Sequence, residues 1–277
     1  MVATRLVYRI LGLILMAATS VTTARADGDL EQAICNRLFE PFAFWLWQRA
    51  AGTQHAISTA LPPNVEIIHY TTADQRKLAG YRIHTGNASK GFVLVAQGNA
   101  TLVERLIAHL GALAEAGYDV YLYDYRGYGS SEGKRRFKAI VSDYREIFES
   151  LSSSHPGKRL LYGMSFGGIV LLNVIGTGAA FDRAVIDSTP ATISNYGCPR
   201  RYDPVANLPA DSSGLLLIAG DRDRVVPADE SAALLEAGAA RGARAQRSPD
   251  FAHPFMDKDQ TVYRERQELI RGFLTGR

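Results

Sequence analysis

The sequence predicts an α/β protein: a mostly parallel central sheet with helices on both faces and no large cap domain. Three observations lead there. Between Asn64 and Ile218, short β-rich apolar runs alternate with stretches of helical periodicity, the pattern of a sheet covered on both sides. The middle runs are continuously apolar rather than alternating, as in strands buried on both faces. The composition, 277 residues with 47% hydrophobic and 21% charged, is that of a globular chain. At this size folding buries about three quarters of the unfolded surface, so the core closes without a metal or a dense disulfide net.

Taken in order, Val65 to Thr71 and Leu78 to Thr85 alternate apolar and polar residues around Ala73-Asp74-Gln75, which predicts an antiparallel hairpin at one sheet edge. Phe92 to Ala96, Val120 to Tyr123, Leu160 to Tyr162, Ala184 to Ile186 and Leu215 to Ile218 are the buried central strands. After the Phe92 strand, Thr101 and Glu104 read as a capping box, with Leu102, Leu106, Leu110 and Leu113 on one helical face and Gly117 as terminator. Further helices are expected over Ile140 to Leu151, from the glycines after Ser165 through Ile175, over Pro227 to Ala240, and over Gln260 to Leu274. No repeat or polar linker divides the chain, so one domain is expected over residues 61–277.

The first 60 residues differ. Arg5 and Arg9 precede the apolar run Ile10 to Ala18, and Ala24-Arg25-Ala26 offers the small residues that signal peptidase selects. Residues 1–26 therefore read as a secretory signal peptide, the run being short for a span of ~20 residues; an uncleaved anchor is the alternative. Cys35, preceded by Ile34, does not fit a lipoprotein site. Residues 27–60 form an N-terminal arm, helical and interrupted near Pro41, with Phe39, Phe42, Phe44, Trp45 and Trp47 packed on the sheet layer. A weak membrane-surface contact or a lid over the site is the other reading of that arm. Export to a periplasm or beyond favours oxidation, and a Cys35 to Cys198 bridge closing the long loop between them contributes up to about 5 kcal/mol in the chain-entropy model. Two unpaired thiols are the alternative.

Lys and Arg total 31 and Asp and Glu 28. Arg5, Arg9 and Arg25 account for the excess, since the first 26 residues hold no acid. The remaining chain is balanced and lacks the basic stripe that nucleic-acid binding requires, so DNA and RNA are excluded as partners. No His, Cys and Glu cluster has metal-ligand spacing, and no cofactor is expected.

The strongest local signal is Gly163-Met164-Ser165-Phe166-Gly167, a G-x-S-x-G run after the buried Leu160 strand and ahead of a helix. A sharp strand-to-helix turn there lifts the Ser165 hydroxyl above the sheet, and small neighbours allow strand and helix to approach. Serine is a poor nucleophile at neutral pH. It needs an imidazole to take its proton, and that imidazole needs a carboxylate to fix its tautomer.

With these residues the chain resembles the α/β-hydrolases over nearly all of Asn64 to Arg277. The resemblance implies the chain order nucleophile, acid, base. Gly220-Asp221-Arg222-Asp223-Arg224-Val225-Val226-Pro227 is similar to the family loop G-x-x-D-x-x-V-P, which makes Asp223 the acid; Asp221 and Asp187 compete with it. His253, in Phe251-Ala252-His253-Pro254 ahead of the last helix, takes the place of the base, whereas His55, His69, His84, His109 and His155 read as surface or packing residues. The backbone amide of Phe166 is one oxyanion donor by position. The match points to the Asn99 amide in Gln97-Gly98-Asn99-Ala100 as the other, with Gln97 where many relatives have His. Asp124 to Ser131 resembles the D-x-R-G-x-G-x-S turn and reads as structural, Arg126 tying loops together, with lining of the pocket by Tyr125 or Tyr128 as the alternative. The combination is closest to the acylglycerol-lipase-like or serine-aminopeptidase-like branch. Serine at 165 excludes the aspartate-nucleophile chemistry of dehalogenases and epoxide hydrolases, and Asp187 to Gly214 is too short for a multi-helix cap. The expected activity is cleavage of small-molecule carboxylic esters by a secreted serine hydrolase. A peptidase or thioesterase using the same triad, and a non-catalytic binding protein on this scaffold, are the alternatives.

Overall fold

Eight strands form one sheet in the order β1-β2-β4-β3-β5-β6-β7-β8: β1 Val65–Thr71, β2 Lys77–Ile83, β3 Gly91–Ala96, β4 Asp119–Tyr123, β5 Lys158–Met164, β6 Arg183–Asp187, β7 Leu215–Gly220 and β8 Arg244–Ser248. The structure is a computed structural model that describes Cys35, Glu40 and residues 61–276. The expected signal peptide and, apart from Cys35 and Glu40, the expected arm with Trp45 and Trp47 lie outside the described residues.

The β1–β2 hairpin pairs antiparallel and β2 runs antiparallel to β4; every other pairing is parallel. The continuous apolar runs acquire a simple reason. In β3, Phe92, Leu94 and Ala96 point into one core cluster while Val93 and Val95 point into the other. Leu161 against Leu160, Ile186 against Val185, and Leu217 against Leu216 divide the same way. Successive side chains of a strand face opposite sides, so a sheet roofed twice needs apolar residues at every position.

Among the described residues the α-helices are α1 Ile107–Glu115, α2 Phe137–Ser154, α3 Phe166–Ile175, α4 Ala228–Ala239 and α5 Gln260–Thr275. Helix α1 follows a short 3-10 turn, Val103–Leu106, and the expected Thr101 and Glu104 capping box is not used. The carboxyl Oδ1 of Asp124, after β4, accepts the Val103 amide at 3.0 Å instead, a long-range acceptor supplanting the local one. Strand β8 was not expected. Its sequence, Arg-Ala-Gln-Arg-Ser, has no apolar run and is largely exposed; pairing with Leu216–Gly220 of β7 creates it. Between β6 and β7 the chain forms three short 3-10 turns and no cap.

Among the described residues of the arm, Cys35 and Glu40 both tie it to this body. Cys35 and Cys198 are disulfide-bonded across 163 residues, with Cα atoms 5.0 Å apart. Glu40 accepts hydrogen bonds from the Phe137 amide at 2.6 Å and from Arg136 at 2.9 Å. It thereby caps the N-terminus of α2, where amides lack intrahelical partners and a negative charge is favoured.

Candidate active site

Ser165 stands between β5 and α3 with φ 53° and ψ −119°, a backbone state that costs a non-glycine residue about 1–3 kcal/mol and persists only where its surroundings enforce it. Its amide donates to the Asp187 carbonyl at 2.8 Å and its carbonyl accepts from Thr189 Oγ1 at 3.1 Å. Close packing explains the flanking glycines. A Cβ on Gly167 would lie 2.0 Å from the Ala96 carbonyl oxygen, and one on Gly168 1.9 Å from Thr189 Oγ1. Gly98, by contrast, has room for a methyl 3.6 Å from Ser165 Cβ, which also shows how near its loop comes to the serine. Of the five non-glycine residues with positive φ among the described residues, Ala100, Ser165, Ser188 and Phe255 all sit in turns around this end of the sheet.

The acid candidates separate cleanly. Asp223 Oδ2 is 2.8 Å from His253 Nδ1, and Oδ1 accepts the Val225 and Val226 amides at 2.8 and 2.9 Å. Burial alone would push this carboxyl up. The His253 hydrogen bond and charge, together with the two amides, outweigh it and hold Asp223 below the usual carboxylate value. With Nδ1–H donated to the carboxylate, Nε2 is the ring nitrogen left to accept a proton. Asp221 pairs with the exposed Arg247 at 2.5 Å. Asp187 is fully buried but grips Arg266 with both oxygens. The structure thus brings Asp223 to His253 and engages both competitors elsewhere.

The loop expected to carry an oxyanion donor is braced by tyrosines. Tyr125 donates to the Gln97 carbonyl at 2.6 Å and Tyr128 to Asn99 Oδ1 at 2.9 Å, while the same Asn99 oxygen accepts the Ala100 amide at 2.9 Å. Gln97 is buried, its side chain 3.1 Å from the Tyr144 hydroxyl. Tyr125 and Tyr128 are themselves buried to within 1%, so they brace the loop rather than line a pocket. Arg126 ties loops as expected, reaching Asp74 at 3.0 Å and gripping Asp143 with two donors. Phe166 opens α3, so its amide belongs to the first turn, whose N–H groups project beyond the helix end; its ring packs edge-on against Tyr125 and Phe137.

The family model for serine aminopeptidase, S33, matches residues 87–210. The chain is 30% identical over 226 residues to the uncharacterized protein YfhR of Escherichia coli K12, covering 74% of this chain and 79% of that one. It is 22% identical over 235 residues to alpha/beta hydrolase domain-containing protein 17C of Xenopus laevis, covering 79% and 71%. The chain belongs to the α/β-hydrolase superfamily. Among solved structures, the Pyrococcus furiosus esterase Pf2001 superposes with a TM-score of 0.63 at 20% identity, covering 79% of this chain and 96% of that one, a likeness of fold.

In this α/β-hydrolase the sequence pointed to neither Glu40 nor Arg266. Glu40 is one of several acids of the arm, and nothing beside it in sequence marks it as the cap of a distant helix. Arg266 did leave a signal: it lies four and eight residues before Ile270 and Leu274, the other buried positions of α5. A charge on the apolar stripe of a helix asks for a buried partner.

Proposed function

We propose that the protein is an exported serine hydrolase that cleaves carboxylic esters through Ser165, His253 and Asp223. The observation that carries this reading is the 2.8 Å hydrogen bond between His253 Nδ1 and a buried Asp223 whose other oxygen is already occupied by two amides. That arrangement fixes the imidazole with Nε2 basic, the state a serine hydroxyl needs. Ser165 Oγ attacks the ester carbonyl carbon as His253 takes its proton. The charge forming on the carbonyl oxygen is stabilised by the Phe166 and Asn99 amides, each such donor typically worth ~3 kcal/mol. His253 then returns the proton to the departing alcohol, leaving an acyl group on Ser165. Water, deprotonated by His253, attacks that acyl group, and the acid leaves as Ser165 recovers its proton.

Two features support small apolar esters as substrates. The connection from β6 to β7 makes no cap. Val225 and Met256, which follow the acid and the base by two and three residues, are 44% and 51% exposed, so each of the two loops leaves apolar surface in solvent. Neither is ionic. Export is supported by the apolar run Ile10 to Ala18, the Ala24-Arg25-Ala26 sequence and the disulfide, a bond that persists in oxidising compartments. The match to the serine aminopeptidase model favours one second reading, amide cleavage by the same residues. A hydrolysis screen over nitrophenyl esters, thioesters and aminoacyl amides tests both. The proposal expects ester turnover that vanishes in Ser165→Ala. Turnover of amides alone would replace it with the second reading, and turnover of none of the three would overturn both.

A further inference from the structure

We infer that Arg266 is a positioning residue, a buried clamp that holds the loop carrying His253 at a fixed place relative to the strand end that carries Ser165. The inference rests on the catalytic reading of Ser165 and His253 given above. Arg266 projects from α5 with no exposed surface. Toward β6, its Nε donates to Asp187 Oδ2 at 3.0 Å, and Nη2 donates to Asp187 Oδ1 at 2.7 Å and to Ser188 Oγ at 3.1 Å. Toward the histidine loop, Nη1 donates to the Ala252 carbonyl at 2.7 Å and to Asp257 Oδ2 at 3.2 Å. Its guanidinium also lies 4.8 Å from the centre of the Phe251 ring.

One end of this clamp is a hydrogen bond away from Ser165, and the other is a peptide bond away from His253. Asp187, whose side chain Arg266 grips, accepts the Ser165 amide on its own carbonyl. Ala252, whose carbonyl Arg266 holds, precedes His253, and its amide is tied to Asp257 Oδ1 at 2.7 Å. Two of the strained residues lie in the clamped segments: Ser188 at φ 52°, which Arg266 touches, and Phe255 at φ 64°, inside the loop between Ala252 and Asp257. Strained backbone needs over-determination by its neighbours, and one planar group with hydrogen bonds in fixed directions supplies it to both segments. A buried ion pair is poor evidence for stability, because desolvation offsets its attraction; its contribution here is geometry. Lysine cannot replace it, since an ammonium is a point charge without the planar fork that reaches a carboxylate and a carbonyl together.

The test compares wild type, Arg266→Lys and Asp257→Asn, the last breaking one branch while the Asp187 pair survives. Three quantities are read well below each melting midpoint: kcat, KM, and the low-field proton resonance of His253 Nδ1–H. The clamp predicts that folded Arg266→Lys loses about 10- to 100-fold in kcat, with KM within about threefold, as displacement of a catalytic group does. It also predicts a shifted or broadened His253 resonance. Asp257→Asn should move both in the same direction by less. If Arg266→Lys does not fold, Asp257→Asn decides alone. Wild-type kcat and an unmoved resonance in the folded variants would overturn the inference, as would a kcat loss that only tracks the unfolded fraction. An inactive wild type would reject the catalytic reading instead, and the resonance still reports whether Arg266 sets the placement of His253 on Asp223.

Discussion

Replacing Asp223 with Asn should leave the protein folded and nearly inactive, for a reason visible in the hydrogen bonds. Oδ1 of Asp223 accepts two backbone amides, from Val225 and Val226, and Oδ2 faces His253. In the variant only one side-chain atom accepts. The two N–H groups, which offer nothing but donors, claim that oxygen, and the Asn NH2 is turned toward Nδ1. Nδ1 must then accept, the proton moves to Nε2, and the imidazole can no longer take a proton from Ser165. The same tautomer error in a serine protease costs about 10⁴ in kcat, or about 5.4 kcal/mol at 1.36 kcal/mol per tenfold. Esterase assays of wild type, Asp223→Asn and Asp221→Asn, with circular dichroism to confirm folding, measure it. Asp221, paired with Arg247 on the surface, should change kcat by no more than about twofold, in keeping with the small worth of exposed pairs. A folded Asp223→Asn retaining more than a tenth of wild-type kcat, or a larger loss from Asp221→Asn, would refute the reasoning.

Burial raises Asp124 to about 7, so the folded state holds a proton that the unfolded carboxyl, near 3.9, releases; stability should therefore fall as pH rises from about 4 to 7, by on the order of 4 kcal/mol. Asp124→Asn, which keeps an acceptor for the Val103 amide, should abolish that decline in urea melts at pH 5 and pH 8, and an unchanged slope would contradict it. For Asp223 the sign is opposite: its lowered folded value gives stability present above about 3.9 and lost as pH falls through the folded value, and the Asn variant should show less of that acid loss. Gly167→Ala should cost about 3 kcal/mol or more because its methyl meets the rigid Ala96 carbonyl, whereas Gly111→Ala in α1, with nothing within 4 Å, should gain about 1 kcal/mol. Reducing the Cys35–Cys198 bond should lower stability by up to about 5 kcal/mol for so long a loop, read as a lower melting midpoint with reductant.

The parts legible in the sequence were those with strong local determinants. The central strands announced themselves because a doubly covered sheet allows no polar residue inward on either side, and the elbow because three glycines crowd one serine. Strand β8 was illegible because its residues hold no strand signal apart from the β7 edge beside them. The start of α1 departs from the expected capping box because Asp124, twenty-one residues from Val103, takes the amide that the adjacent Thr101 would cap. Sequence order left Asp187, Asp221 and Asp223 in competition; what decides among them is where Arg266, Arg247 and His253 come to rest. Arg266 itself was readable only as a misplaced charge. Its five hydrogen bonds join segments that the sequence holds 65 residues apart, from Asp187 to Ala252.

The central claim is that Ser165 is an activated nucleophile. Reaction with a fluorophosphonate probe, followed by mapping of the modified peptide, tests it most directly, because an ordinary serine hydroxyl scarcely reacts. Rapid stoichiometric labelling is expected at Ser165, none in Ser165→Ala, and very slow labelling in folded His253→Ala. A folded wild-type protein that resists the probe, or one labelled at another residue, would contradict it.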